Sequence, residues 1–515
     1  MANLSFRDIL KSASVVGAGM IFSKAISLVA ESIIARQLST TDFGAAIFGY
    51  TVLITLSSIA LIGIPEGFTH YLSIYDERGD DVIALHTVVS GVVLVTAVLA
   101  LSLCLIYLIP FEIIKSLGIS QNQWRWILLL GPLVVAYPVS RVSFGIMRGY
   151  DKSVPKVLAD DILNKLIAFT CLATAIWQAW TELIFLSFYL GQFLLSGLFA
   201  GSYVIYLLRT ELENASITGR YYDVSRRLMS YSWPLALKNA TRRLLGNTDL
   251  MFVGILLASS AVGYYRVGYV ISQVGMLPLI AIMYLYTPRV TRQYDNDEHS
   301  SVEYLYRQAT QWSTLLAFPL IVSMIFYPTE LIRLLFGTEY APGSIVLLIL
   351  ALDVLFRSGM GPAAATLQAI DRTKVDFIVT AVTVAFNAVL SYILIQEFGI
   401  AGAAIATFIS LFMMNFIQVV LVYKYISVHP FSINYAKIIL YGLLFGSFLF
   451  TILNHAPMDI TVPVLRIPAT MLLFIALFTL AETVYVWLSV FSGDQRDAVR
   501  NIASDYTAQV ASFLP

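Results

Sequence analysis

Apolar runs of about twenty residues recur from one end of this chain to the other, and no other feature limits its fold as strongly. A run of that length crosses the roughly 30 Å hydrocarbon core of a bilayer as a helix. About fourteen runs are bounded by charged or Gly/Pro punctuation: 13–36, 43–65, 82–110, 124–147, 156–179, 183–208, 229–257, 261–287, 305–327, 344–369, 375–396, 400–424, 434–455 and 467–491. None alternates at period two, which excludes a β-barrel. Only 12% of the 515 residues are charged, against about 25% in soluble domains. The expected fold is therefore an all-α, polytopic membrane protein of about fourteen transmembrane helices. Arg7 and Lys11 precede the first run, but Lys24 and Glu31 interrupt it, so it reads as a first span rather than a cleavable leader.

Composition also narrows function. Zero net charge argues against a nucleic-acid partner. Cys104 and Cys171 lie in apolar runs without CxxC or metal-ligand spacing, and the five histidines are scattered, so no metal and no cofactor is indicated. Gly17-Ala-Gly19 lacks the third glycine and the preceding strand of a dinucleotide fingerprint, and there is no Walker loop. No segment between the runs is long enough for a catalytic domain, so the chain is not expected to be an enzyme.

Lys and Arg in the short loops set the orientation. With the N-terminus in the cytoplasm, inner segments hold about nineteen of these residues and outer loops about five. An even number of spans returns the C-terminus to the same side. The expected location is the cell membrane, multi-pass, with both termini cytoplasmic.

The chain also repeats itself. Asp42-Phe-Gly44 with Gly49-Tyr50 answers to Ala261-Val-Gly263 with Gly268-Tyr269, about 219 positions on. Asp151-Lys152-Ser153 answers to Asp371-Arg372-Thr373, about 220 on. Two pseudo-symmetric six-helix lobes follow, 1–212 and 213–425, both running the same way through the membrane. Two additional transmembrane helices (426–491) and a cytoplasmic tail (492–515) have no counterpart in the repeat.

Ionisable residues inside spans carry the functional argument. A charge at mid-bilayer costs roughly 2.5–3.5 kcal/mol on insertion scales, so it faces protein or water. Lys238, Arg242, Arg243 and Asp249 all interrupt the 229–257 run, and Lys238 and Arg242, four apart, share a face. In the first span Lys24, Ser27 and Glu31 share a face, and Lys24 falls opposite Arg243 in the repeat. The two faces would confront each other across the central axis as a polar cavity for an anionic or amphiphilic cargo. Lys24, Lys238, Arg242, Arg243 and Arg141 are the candidate substrate-binding residues, since ammonium and guanidinium groups suit a phosphate or pyrophosphate. Glu31 and Asp249 are candidates for coupling, to protons or sodium, or for charge balance. The alternative is that Lys24–Glu31 and Arg242–Asp249 only neutralise one another. Asp161–Lys165 and Asp353–Arg357 are spaced as ordinary helix pairs. Arg148 reads as snorkelling.

The duplicated lobes, the first-span exit Ile-Ala-Arg-Gln-Leu-Ser-Thr-Thr-Asp-Phe-Gly (34–44), the Asp249 span followed by Val262-Gly-Tyr-Tyr, and Phe398-Gly-Ile-Ala-Gly-Ala-Ala-Ile-Ala-Thr407 together resemble a known family. It is the polysaccharide transporter (Wzx-type flippase) branch of the multidrug/oligosaccharidyl-lipid/polysaccharide exporter superfamily. The resemblance implies a V-shaped pair of lobes with alternating access. It also implies transfer of a polyprenyl-(pyro)phosphate-linked oligosaccharide across the cytoplasmic membrane, for surface polysaccharide or glycoprotein biosynthesis. Cavity charges, a family trait, fall by position on Lys24, Lys238, Arg242 and Asp249. The several arginines that mark lipid II flippases are not matched. Implied partners are the lipid-linked oligosaccharide, membrane lipids and a coupling ion (H+ or Na+), with a monomer associated with glycan-assembly proteins. Three alternatives stand beside this: a cation-coupled multidrug exporter, which needs a net acidic cavity; a membrane glycan polymerase or ligase, which needs a longer outer loop; and a scaffold without transport.

Overall fold

The computed structural model describes residues 23–152, 163–180, 183–211, 221–455, 461–462 and 467–489. Lys11, Asp161 and the tail 492–515 lie outside them. The described residues are almost entirely helical; Thr461–Val462 and Ile467–Pro468 pair as two-residue strands. In order the helices are α1 (23–37), α2 (Thr40–Ala60), α3 (Ile64–Arg78), α4 (Asp81–Leu108), α5 (Phe111–Ser116), α6 (Gln121–Leu130), α7 (Leu133–Gly149), α8 (Asn164–Trp177), α9 (Leu183–Glu211) and α10 (Tyr221–Leu256). Then come α11 (Ser259–Val274), α12 (Leu277–Asp295), α13 (His299–Phe326), α14 (Pro328–Leu335), α15 (Ser344–Met360), α16 (Ala363–Ala369), α17 (Thr373–Ile426), α18 (Ile433–His455) and α19 (Ala469–Ser489).

Among the described residues seven helical segments are long and apolar enough to cross a membrane, and two bent pairs would each add one. The expected fourteen is not reached by this measure, for physical reasons. Breaks divide spans: α6 and α7 meet at 41° and α11 and α12 at 46°. Charges remove α10 from the apolar set, because Lys238, Arg242, Arg243 and Asp249 crowd its middle. The expected spans 375–396 and 400–424 lie on either side of a kink at Gly399, with φ 57° and ψ −134°, a conformation glycine tolerates, and are numbered together as α17.

The duplication is written into the backbone. Left-handed residues recur in pairs: Gly79 with Asp297, Gly118 with Gly337, Asp151 with Asp371, and Ala179 with Gly399, each 218 to 220 positions apart. Asp accepts this region more readily than most side chains, and glycine takes it freely. The axis between the lobes passes where α2 meets α11. A Cβ on Gly44 would sit 1.8 Å from the Ser259 carbonyl oxygen, and one on Gly263 would sit 3.1 Å from that of Thr40. Two glycines from equivalent positions thus let equivalent helices cross at backbone distance.

At this same end of the bundle the lobes grip each other reciprocally. Gln123 Nε2 donates to the Gly254 carbonyl (2.7 Å), and the Tyr340 hydroxyl donates to the Ala35 carbonyl (3.0 Å). Ala35 and Gly254 are themselves 219 apart in the repeat. Ser32 and Arg36 donate to the Leu334 and Leu335 carbonyls, capping the C-terminal end of α14. The appended α18 and α19 pack beside α13 through Phe318, Phe474 and Phe478, all buried.

Candidate functional site

Three adjoining chambers open between the lobes, and Tyr269 lines all of them. The largest, about 530 Å³, is walled by the α2–α3 junction, by α7 and by α10, and includes Arg141, Arg148, Arg242, Arg243, Glu66 and Asn239. It extends toward the end of the bundle that carries Arg148, away from the reciprocal grip. A second, about 280 Å³, holds Lys24, Ser27, Glu31 and Arg266, and shares Arg243 and Asn247 with the first. The third, about 200 Å³, holds Asp249, Asp353 and Arg357, and shares Arg242 and Gly246 with the first.

Local structure explains how charged side chains reach this space. The chain breaks after α2 at Ile62 (φ 48°) and Gly63 (φ 69°), and Pro65 sits in the first turn of α3. The break exposes Gly63, Pro65 and Glu66 to the chamber instead of continuing an apolar helix. On α7, Tyr137, Arg141, Phe144 and Arg148 stand at spacings of three and four, a single helix face.

Arg243, in the wall of the large chamber, is held by neutral groups. Arg243 donates from Nε to Ser58 Oγ and from Nη2 to the Tyr137 hydroxyl, both at 3.0 Å. The Arg141 guanidinium lies over the rings of Tyr137 (5.2 Å to centroid) and Phe144 (5.6 Å). Ring faces attract a cation without cancelling its charge. Arg242 is exposed to the chamber. Among the described residues no carboxylate lies within ion-pair distance of Arg242 or Arg243. Among the described lining residues the one acid is Glu66, which accepts from Asn239 Nδ2 at 3.0 Å.

The acids are engaged elsewhere. Glu31 receives both arms of Arg266, at 2.6 and 3.0 Å, and both side chains are largely covered. Asp249 accepts from the Tyr265 hydroxyl at 2.9 Å, and its other oxygen has no hydrogen-bond partner. Neither neutralising pair expected from spacing forms: Lys24 does not hold Glu31, because Arg266 from α11 offers a two-pronged fork that a lysine cannot. Arg242 does not hold Asp249, because that carboxylate is buried against α11 while Arg242 faces the chamber. The Asp353–Arg357 pair does form, at 2.6 Å. Lys165 reaches Gln192 Oε1 at 3.3 Å.

Of the candidate residues, Arg141, Arg242 and Arg243 converge on the large chamber; Lys24 and Glu31 line the second; Asp249 lines the third. Lys238 lines none of them. Arg148, exposed in the last turn of α7, also lines the large chamber, with Nε donating to the Phe144 carbonyl at 3.3 Å. Tyr137, Ser58, Glu66, Asn239 and Asn247 were not legible as site residues: neutral or break-flanking groups carry no charge signal. Arg266 carries its charge inside an apolar run, but its partner lies 235 residues away.

Comparison with known proteins follows the same lines. The polysaccharide biosynthesis protein family matches residues 9–292, and the MatE family matches 234–393. The chain is 26% identical over 265 residues to the probable low-salt glycan biosynthesis flippase Agl15 of Haloferax volcanii, a match covering 50% of this chain and 55% of that protein. The chain thus spans about half the length of that relative. It is 23% identical over 431 residues to the probable flippase AglR of the same organism, covering 81% and 85%. In fold it is similar to the lipid II flippase MurJ in an inward closed conformation (TM-score 0.70, 15% identity, 92% of this chain and 99% of that one). It is also similar to an inward-facing MATE family multidrug transporter of the MOP superfamily (TM-score 0.62, 16% identity, 78% and 94%). With more than half of its residues inside the family match, the chain belongs to the polysaccharide biosynthesis protein family.

Proposed function

We propose that this protein is a flippase that carries a polyprenyl-(pyro)phosphate-linked oligosaccharide across the cytoplasmic membrane by alternating access. The observation that carries this reading is the chamber of about 530 Å³ that Arg242 faces and where Arg243 is held by the Ser58 and Tyr137 hydroxyls, with no carboxylate among the described residues within ion-pair distance of either. Cations kept inside a membrane protein without counter-ions cost free energy, and an anionic cargo supplies the missing charge. A phosphate also offers the oxygens that arginine forks bind best. The flippase names of two relatives support the same class.

The lobes, with boundaries near 212 and 425, rock about the Gly44–Gly263 crossing. The reciprocally gripped end is the outer one, the chamber faces the cytoplasm and both termini are cytoplasmic, a reading that the bias of Lys and Arg toward the inner loops supports. Glu31 balances Arg266. Asp249, buried with one oxygen unengaged, is the coupling carboxylate for a proton or a sodium ion. The chain works as a monomer beside glycan-assembly proteins and does no covalent chemistry.

The test is transfer of a lipid-linked oligosaccharide in proteoliposomes by the Arg242→Ala, Arg243→Ala double variant. Loss of transfer at normal protein incorporation supports the reading; full transfer overturns the role of the chamber.

A further inference from the structure

The seam between α3 and α10 does not end at the chamber. The two helices run antiparallel, with Asn239 bonded to Glu66. Further along, the rings of His70 and Tyr231 stack at 4.2 Å and 7°. Tyr71 meets both edge-on, at 5.0 and 5.5 Å, and its hydroxyl donates to the Arg227 carbonyl at 3.4 Å. Helix geometry places His70 one turn beyond Glu66 on the same face of α3. Tyr231, Lys238 and Arg242 stand at i, i+7 and i+11, one face of α10. Glu66 and Arg242 line the chamber, so the aromatic pair and Lys238 continue its two walls. Eight residues at about 1.5 Å each separate Tyr231 from Asn239, a reach of about 12 Å. His70, Tyr71 and Tyr231 are only half-buried, whereas core rings such as Tyr265 and Tyr306 are completely covered.

We infer that His70, Tyr71 and Tyr231, with Lys238, form a saccharide platform at the mouth of the cavity. It holds the sugar portion of the cargo while the phosphate occupies the arginine chamber, and it rests on the flippase reading. A pyranose presents a face of C–H groups that an aromatic ring covers, and hydroxyls that an imidazole nitrogen and an ammonium can bond. The platform also gives Lys238 a role that its position outside the three chambers leaves open.

The test uses the full chain in lipid nanodiscs and two probes, farnesyl diphosphate and the same lipid carrying a disaccharide. Tyr231→Ala and His70→Ala weaken the disaccharide probe by about tenfold and leave farnesyl diphosphate affinity unchanged. Tyr231→Phe, which keeps the ring, binds both as the parent does. Arg242→Ala weakens both. Equal losses for both probes in the Ala variants, or no loss for either, overturn the platform. If the parent protein binds neither probe, the flippase reading fails, and the platform with it.

Discussion

The two halves of the bundle descend from one duplicated sequence, yet equivalent positions in them handle charge in opposite ways. In the first lobe Tyr137 is a neutral post: it lies beneath Arg141 and accepts from Arg243 of the second lobe. In the second lobe the position 220 residues on from Tyr137 is Arg357, and it is neutralised within its own helix by Asp353 at 2.6 Å. The backbone was conserved through the duplication, down to its left-handed residues, while the charges diverged. A bundle can keep one scaffold twice and place a neutral anchor at one site and a self-paired charge at its counterpart.

The sharpest way to break this comparison is to disarm the cations that Tyr137 faces and the self-paired charges in turn. Two charge-assisted contacts at about 1.5–3 kcal/mol each put the loss of transfer for Arg242→Ala with Arg243→Ala at about 10²–10⁴-fold. Removing Asp353 and Arg357 together leaves no orphan charge, and transfer in proteoliposomes then stays within about threefold of the parent. Equal losses from the two double variants would erase the distinction between the two sites.

The Glu31–Arg266 pair joins the lobes and tests whether charge there is structural. Glu31→Gln strands a buried guanidinium and destabilises by about 3–5 kcal/mol, read as an earlier thermal unfolding in detergent. Adding Arg266→Gln recovers part of that loss. An unchanged melting profile for Glu31→Gln shows the pair to be idle.

The smallest effect sharpens the comparison at the axis. Gly44→Ala drives a methyl into the Ser259 carbonyl, whereas Gly263→Ala meets its neighbour at 3.1 Å. The first costs about 1–3 kcal/mol by overpacking, and the second less. Equal unfolding temperatures for the two variants would mean that the crossing is more symmetric than it looks.

Much of this was legible in the chain itself. Arg141, Arg242 and Arg243 stand out because a charge within an apolar run has few places to go. The repeat shows in Gly44 and Gly263 because a close helix crossing tolerates no side chain. Partner choice was not legible. The spacing of Lys24 and Glu31 describes one helix, but Arg266 comes from the other lobe, and local periodicity carries no information on such contacts. The same holds for Tyr137, whose role follows from the cations around it. Span counting fell short where helices bend or merge, since hydropathy is indifferent to backbone direction.

The reciprocal grip of Gln123 on Gly254 and of Tyr340 on Ala35 has a mechanical consequence. Each half carries one clasp and one catch, so neither lobe can swing free alone. Were the lobes to part at this end, the two clasps would be loaded together, as a double bolt is, and not one after the other.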